Sequence, residues 1–207
     1  MADIKLLNCD CMTYMATCED NAFDLAICDP PYGIKIMKQW GNANNDYRQF
    51  KTKEWDNLIP TPEYFNELLR VSKNQIIWGG NYFTDYLYPS MGWVIWDKGQ
   101  ENFTLADAEI GWTSFNRAIR RKKIHRSNKN NPNRIHIAQK PVSLYKWLLH
   151  NYSKPGDKIF DSHGGSMSLA IACHDMKFDL VCCEIDKDYY EAAVKRFEQH
   201  KSQLTLF

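Results

Sequence analysis

Asp29-Pro30-Pro31-Tyr32 places a carboxylate, a rigid main-chain carbonyl and an aromatic face within one tetrapeptide. An exocyclic amine on an aromatic base is a poor nucleophile, because its lone pair is delocalised into the ring. Two acceptors on its hydrogens localise that pair. Asp29 offers a carboxylate and Pro30 a carbonyl, and the fixed φ of the two prolines holds the carbonyl in one direction. Tyr32 can stack on the base. The preceding run, Phe23 to Cys28, reads as a short buried strand, so the tetrapeptide stands at a strand's carboxyl end, where open α/β sheets place ligands. The same four residues also read as a proline turn after a strand.

A second group lies near the other end of the chain. Asp161-Ser162-His163-Gly164-Gly165-Ser166-Met167-Ser168 joins a predicted strand, Lys158 to Asp161, to a predicted helix, Ser166 to Met176. Backbone amides and a helix amino end meet a ligand in such a loop, although many loops of this kind are only strand-to-helix turns. Glu184 closes the next strand, Phe178 to Glu184, about 20 residues on, where dinucleotide-type folds grip a ribose diol. Its other reading is a solvated acid at a strand end, with Asp186 as N-cap of the final helix, Asp186 to His200. Gly79-Gly80, ahead of Asn81-Tyr82-Phe83, marks a further place where backbone can approach a base or cofactor.

The chain between supplies the elements that must hold these groups. Ile4 to Leu7, Gln75 to Trp78, Trp93 to Trp96 and Ala106 to Trp112 read as strands, Met12 to Thr17 as a short helix and Pro141 to Asn151 as a longer one. Thr61-Pro62-Glu63 opens another helix, to about Val71, with an N-cap, an N1 proline and an early acid. Alternating strands and helices predict an α/β fold: a single Rossmann-like, doubly wound, mainly parallel sheet with helices on both faces. Residues 33–56 show no period and read as a long loop of the kind that forms functional lids; Lys35, Lys38, Trp40 and Tyr47 lie in it.

With 207 residues, 44% hydrophobic and 14% aromatic, the chain can bury one sizeable core, and residues 1–207 are expected to form a single domain. The seven cysteines contain no Cys-x-x-Cys pair, which argues against structural zinc and for reduced thiols in a cytoplasmic setting. No apolar stretch approaches a transmembrane length. A net charge of +1 conceals an uneven distribution, for Ile110 to Gly156 holds eleven cations and no acid. Arg117, Arg120, Arg121, Lys122, Lys123, Arg126 and Lys129 are its candidate DNA-phosphate ligands, and Arg134, Lys140, Lys146 and Lys154 complete it. A run such as Arg120 to Lys123 can equally be a solvated face. Asn128, Asn130, Asn131 and Asn133 read as turn formers, with base-edge contact as the alternative.

Asp-Pro-Pro-Tyr ahead of a Gly loop resembles the S-adenosylmethionine-dependent amino-methyltransferases of DNA, which modify adenine N6 or cytosine N4. The resemblance runs from Asn8-Cys9-Asp10 to the helix ending near His200, and it includes motif order: catalytic tetrapeptide, target-recognition segment (about 113–138), then cofactor loop. It implies that Asp29, Pro30, Pro31 and Tyr32 are catalytic and that the adenine is flipped out of the duplex onto Tyr32. It also implies that S-adenosylmethionine is held by Asp10, Cys11, Asp29, Lys140, Asp161, His163, Gly164, Gly165, Ser166, Glu184 and Ile185, with no metal. Asp161 would meet the methionine moiety, Glu184 the ribose and Asp10 the adenine ring, while Gln139-Lys140-Pro141 closes over the methionine end. An Asp-initiated tetrapeptide implies adenine N6, since the cytosine N4 enzymes more often begin theirs with Ser.

Ser162, His163 and Met167 depart from the Pro, Phe and last Gly of the family's loop. A side chain at position 167 is expected to crowd the cofactor or change the loop's φ/ψ. The expected partners are double-stranded DNA and a second copy of the chain. Gln203-Leu204-Thr205-Leu206-Phe207, in a flexible tail at 202–207, resembles the peptide with which bacterial DNA-processing proteins bind the replication sliding clamp; an apolar tail folded on its own domain is the alternative. The expected setting is the cytoplasm of a bacterial or phage-infected cell. Other readings are a DNA-binding protein of the same fold with impaired turnover, a cytosine N4-methyltransferase, or an enzyme acting on RNA or a protein amide.

Overall fold

The computed structural model describes residues 2–35, 55–100, 106–125, 134–136 and 138–203. Within them β1 (Ile4–Leu7), β2 (Leu25–Cys28), β3 (Gln75–Trp78), β4 (Trp93–Asp97), β5 (Ala108–Thr113), β6 (Arg120–Lys123), β7 (Lys158–Asp161) and β8 (Asp179–Cys183) form one sheet in the order β1-β8-β7-β2-β3-β5-β4-β6. Every neighbouring pair is parallel except the two that β5 makes, with β3 and β4. The helices are α1 (Cys11–Met15), α2 (Pro62–Val71), α3 (Val142–Tyr152), α4 (Ser168–Met176) and α5 (Lys187–Ser202), with a 3-10 turn at Gly80–Tyr82. The expected α/β architecture, mainly parallel with helices on both faces, is the observed one.

Strand alternation divides the interior in two. Leu25 and Ile27 of β2, Ile76 and Trp78 of β3, and Val94 and Trp96 of β4 face Leu144, Leu148 and Leu149 of α3 and the buried side of α4. Ala26, Cys28, Ile77, Trp112 and Phe160 face the other way, onto Met15 of α1 and Tyr64, Phe65 and Leu68 of α2. Aliphatic side chains buried as fully as Ile27 and Leu148 contribute about 1.5–3 kcal/mol each. The strands of the parallel half, buried on both faces, are the continuous apolar runs seen in the sequence.

Element boundaries moved where local chemistry decides them. Phe23 is not part of β2 but makes an isolated bridge to Ser72. Pro141 caps α3 rather than opening it, and Asp186 caps α5 by accepting from Tyr189 N. The larger correction concerns Arg120 to Lys123, read as a charged run and found as β6, the sheet's edge strand, exposed throughout. Cations on an edge strand also oppose strand addition by another chain. All seven cysteines are free, and no described helix is long and apolar enough to cross a membrane.

The turn after β3 is built on Gly80. A Cβ there would lie 2.6 Å from the Trp112 Cβ and 2.8 Å from the Trp112 backbone nitrogen. Gly80→Ala is therefore expected to cost about 1–3 kcal/mol, read as a lower denaturant midpoint at unchanged slope.

Candidate active site

The carboxyl ends of the parallel strands open on a cavity of about 690 Å³, lined among others by Asp29, Gly79, Trp96, Gly164 and Glu184. Because β5 runs the opposite way, it is the start of that strand, Ala108 and Glu109, that reaches the same rim.

At one end stands the tetrapeptide. Asp56 Oδ1 accepts from the backbone nitrogens of Tyr32, at 2.8 Å, and Gly33, at 3.0 Å, and so fixes the chain as it leaves Pro31. The Tyr32 hydroxyl donates to Asp29 Oδ1 at 2.6 Å, and Lys140 Nζ donates to Asp29 Oδ2 at 2.5 Å. Burial beside Asp29 pushes the Tyr32 phenol well above its usual range, so it remains a donor. Its ring stacks with Tyr82, centroids 5.0 Å apart, and lies against Gly79, where a Cβ would come 2.2 Å from Cε1. Gly79 is thus bare because Tyr32 packs on it, and its φ of +69° is the conformation glycine supplies.

Lys140 continues the network into β5. Its ammonium is 2.9 Å from Glu109 Oε2, and Lys98 Nζ is 2.8 Å from Glu109 Oε1. Burial disfavours the Lys140 charge, but Asp29 and Glu109 outweigh it and hold its pKa above the usual lysine range. Burial likewise acts to raise Glu109, yet Lys140 and Lys98 bring it down to about 2. Asp29 goes the other way, because burial, reinforced by Glu109, outweighs the Lys140 charge and raises it.

At the other end the loop after β7 meets Glu184. Glu184 Oε2 accepts from Gly165 N at 2.7 Å and Oε1 from Asp186 N at 2.8 Å, so its carboxylate ties the loop to the start of α5. A Cβ on Gly165 would find no atom nearer than His136, at 3.9 Å, so the loop leaves open space in front of it. A hydroxyl chain runs behind: Tyr64 OH to Ser162 Oγ at 2.7 Å and Ser162 Oγ to His163 Nδ1 at 2.8 Å. Burial pulls the His163 pKa down to about 4, and His163 is neutral at physiological pH. Asp161, buried and accepting from His163 N at 3.1 Å, is pushed up to about 7, with burial as the main cause and Asp29 and Glu184 adding to it.

Of the residues singled out from sequence, Asp29, Pro30, Pro31, Tyr32, Lys140, His163, Gly164, Gly165, Ser166, Glu184 and Ile185 line the cavity. Asp10, Cys11 and Asp161 do not. Asp10 is engaged as the N-cap of α1, accepting from Thr13 N at 2.8 Å, Cys11 turns into the second core, and Asp161 sits behind the wall. Lys140, assigned to the methionine end, lines the cavity and donates to Asp29 of the tetrapeptide. Met167 adopts φ +52°, as a glycine would, and its side chain is fully buried in the core under α4 and not on the cavity wall. The crowding expected of it is absent.

The basic segment divides as well. Arg117 donates to Asn151 O at 2.7 Å and lies over the Tyr152 ring, whereas Arg120, Arg121, Lys122 and Lys123 are presented along β6. Arg126, Lys129, the four asparagines, Lys38, Trp40, Tyr47 and Leu204 to Phe207 lie outside the described residues. Sequence reasoning missed Asp56, Lys98, Glu109 and His136, which sits between Trp55 and Tyr189 and accepts from Ala138 N through Nδ1. For Glu109 a signal existed, an acid at the start of an otherwise apolar strand.

The family model described as DNA methylase, of the N6/N4 type, matches residues 74–195. The chain is 23% identical over 243 residues to the type II methyltransferase M.HpaI of Haemophilus parainfluenzae, an alignment covering 95% of this chain and 74% of the relative. It is also 23% identical over 246 residues to M.HinfI of Haemophilus influenzae, covering 95% and 68%. Among solved structures, the M1.HpyAVI–SAM complex superposes with a TM-score of 0.59 at 17% identity, covering 93% of this chain and 99% of that one. The cytosine-N4-specific PvuII DNA methyltransferase superposes with a TM-score of 0.67 at 12% identity, covering 97% and 91%.

Two outcomes follow for ligand binding. If Asp161 meets the ligand's ammonium as a carboxylate, S-adenosylmethionine affinity falls about tenfold as pH drops from 8 to 6, through the pKa of about 7, and Asp161→Asn flattens the calorimetric profile. Met167→Gly is expected to leave that affinity within about twofold while lowering stability by about 2 kcal/mol, since lost burial outweighs the relief of a left-handed φ.

Proposed function

The chain belongs to the N6/N4 DNA methylase family, and from that membership we propose that it is a site-specific adenine N6-methyltransferase of duplex DNA. Its cofactor is S-adenosylmethionine, which supplies a methyl group on a sulfonium centre. The residues present suit that molecule. Glu184 offers a carboxylate to a diol, Ile185 gives an exposed apolar face beside it, and the open side of Gly165 leaves room for close approach. The buried Met167 side chain takes none of that room.

The observation that carries the adenine reading is the acid of the tetrapeptide, held at the cavity by Tyr32 and Lys140. A carboxylate at Asp29 accepts an amine N–H, localises the nitrogen lone pair and can take the proton that the alkylated amine must shed. Tyr32, seated on Gly79 and paired with Tyr82, provides the aromatic surface for a flipped base. The cations of β6 run parallel to β4 towards the same rim, a position suited to backbone phosphates. Cytosine N4 is the second reading, favoured by the superposition on the N4-specific PvuII enzyme.

Methylation-sensitive sequencing of DNA from cells expressing the protein decides the matter. N6-methyladenine at a fixed motif is expected, whereas N4-methylcytosine would replace the adenine reading. Asp29→Asn, which keeps the shape but loses the basic carboxylate, is expected to lower kcat by at least about a hundredfold while changing cofactor affinity little.

A further inference from the structure

Asp29 is already engaged in the ligand-free structure, its two oxygens holding the Tyr32 hydroxyl and the Lys140 ammonium. A substrate amine that needs this carboxylate meets a stronger donor in place. A cation left there would also oppose the positive charge that grows on the amine nitrogen as it is alkylated. Yet a buried ammonium cannot simply be released, for an unpaired charge in such a site is strongly unfavourable.

The structure contains a second seat. Glu109 Oε2 lies 2.9 Å from Lys140 Nζ, close enough for ion pairing, and it is a buried oxygen that no hydrogen bond from the described residues satisfies. Its other oxygen is held by Lys98, so the acid is anchored and its second oxygen already pairs with Lys140. A small swing of the lysine tip would exchange Asp29 for Glu109. Asp29, Lys140, Glu109 and Lys98 alternate in charge and sum to zero, and the exchange keeps that sum.

We propose that Glu109 is a positioning residue that receives the Lys140 ammonium when the target amine engages Asp29, so that Lys140 is a displaceable latch on the catalytic carboxylate. The proposal rests on the methyltransferase reading. Glu109 touches neither the base nor the cofactor in this role. It acts through Lys140, and it sets how readily Asp29 becomes available.

The test is a pair of variants measured with tritiated S-adenosylmethionine and duplex DNA carrying the motif found by sequencing. Glu109→Gln should lower kcat about thirtyfold, with calorimetric cofactor affinity within about twofold of wild type. Adding Lys140→Gln to it should recover at least about fivefold of that loss, because a neutral amide on Asp29 needs no counter-charge to leave; a merely structural role for Glu109 predicts a double variant worse than the single one. If Glu109→Gln does not fold, a crystal structure of the wild-type protein with the duplex serves, and Lys140 Nζ should then lie on Glu109 and beyond hydrogen-bond range of Asp29. Wild-type kcat in Glu109→Gln, no recovery in the double variant, or Lys140 still on Asp29 in the complex would overturn the proposal. Absence of transfer by the wild-type protein itself would instead overturn the methyltransferase reading.

Discussion

The burial of one ammonium between two carboxylates is the constraint on which the rest of this site depends. Lys140 is 3% exposed, and its charge is tolerated because Asp29 and Glu109 stand at 2.5 and 2.9 Å. Those three residues belong to segments far apart in the chain: the end of β2, the start of β5 and the entry to α3. The ion pairs therefore hold the tetrapeptide, the antiparallel strand and the α3 entry in one arrangement. Lys98 completes an alternating row of charges, so the polar centre of the cavity is internally neutral although each member is desolvated.

Environment gives chemically similar groups opposite properties along this cavity. Glu109, flanked by two ammonium groups, is held ionised far below neutrality, while burial, with Asp29 and Glu184 adding to it, pushes Asp161 up to about 7. An acid of the first kind organises cations. One of the second kind responds to a cationic ligand, since the ligand's charge stabilises the ionised form that burial disfavours. Glu109 is accordingly fixed in charge, and Asp161 is adjustable.

Much of the fold was legible because its parallel strands are buried on both faces and appear as apolar runs. The tetrapeptide, the Gly loop and Glu184 were legible because each follows such a run, and in a parallel sheet the residue after the strand is the one at the cavity. Glu109 escaped that rule because β5 is antiparallel, which places its first residues there. Lys140 was legible as one of eleven cations and as a cofactor contact, but its burial between Asp29 and Glu109 was not, since charge along a sequence does not reveal which acids a cation meets. Met167 misled for a related reason. Its position called for glycine's φ, which it adopts, while the direction of its side chain is set by the core beneath α4. The role of Asp56 depended on a turn closed across more than twenty intervening residues, a contact no local pattern encodes.

The pairing of β4 with β5 sets Glu109 opposite Trp96, on the sheet face that also carries Trp78 and receives Lys140. Side chains alternate between faces, so a register shift of one residue would carry the carboxylate to the far side of the sheet and set an apolar neighbour against the lysine. Changes of length before β5 are thus tolerable only if they leave this pairing untouched. The parity of one strand thus decides whether Lys140 faces a second carboxylate or an apolar side chain.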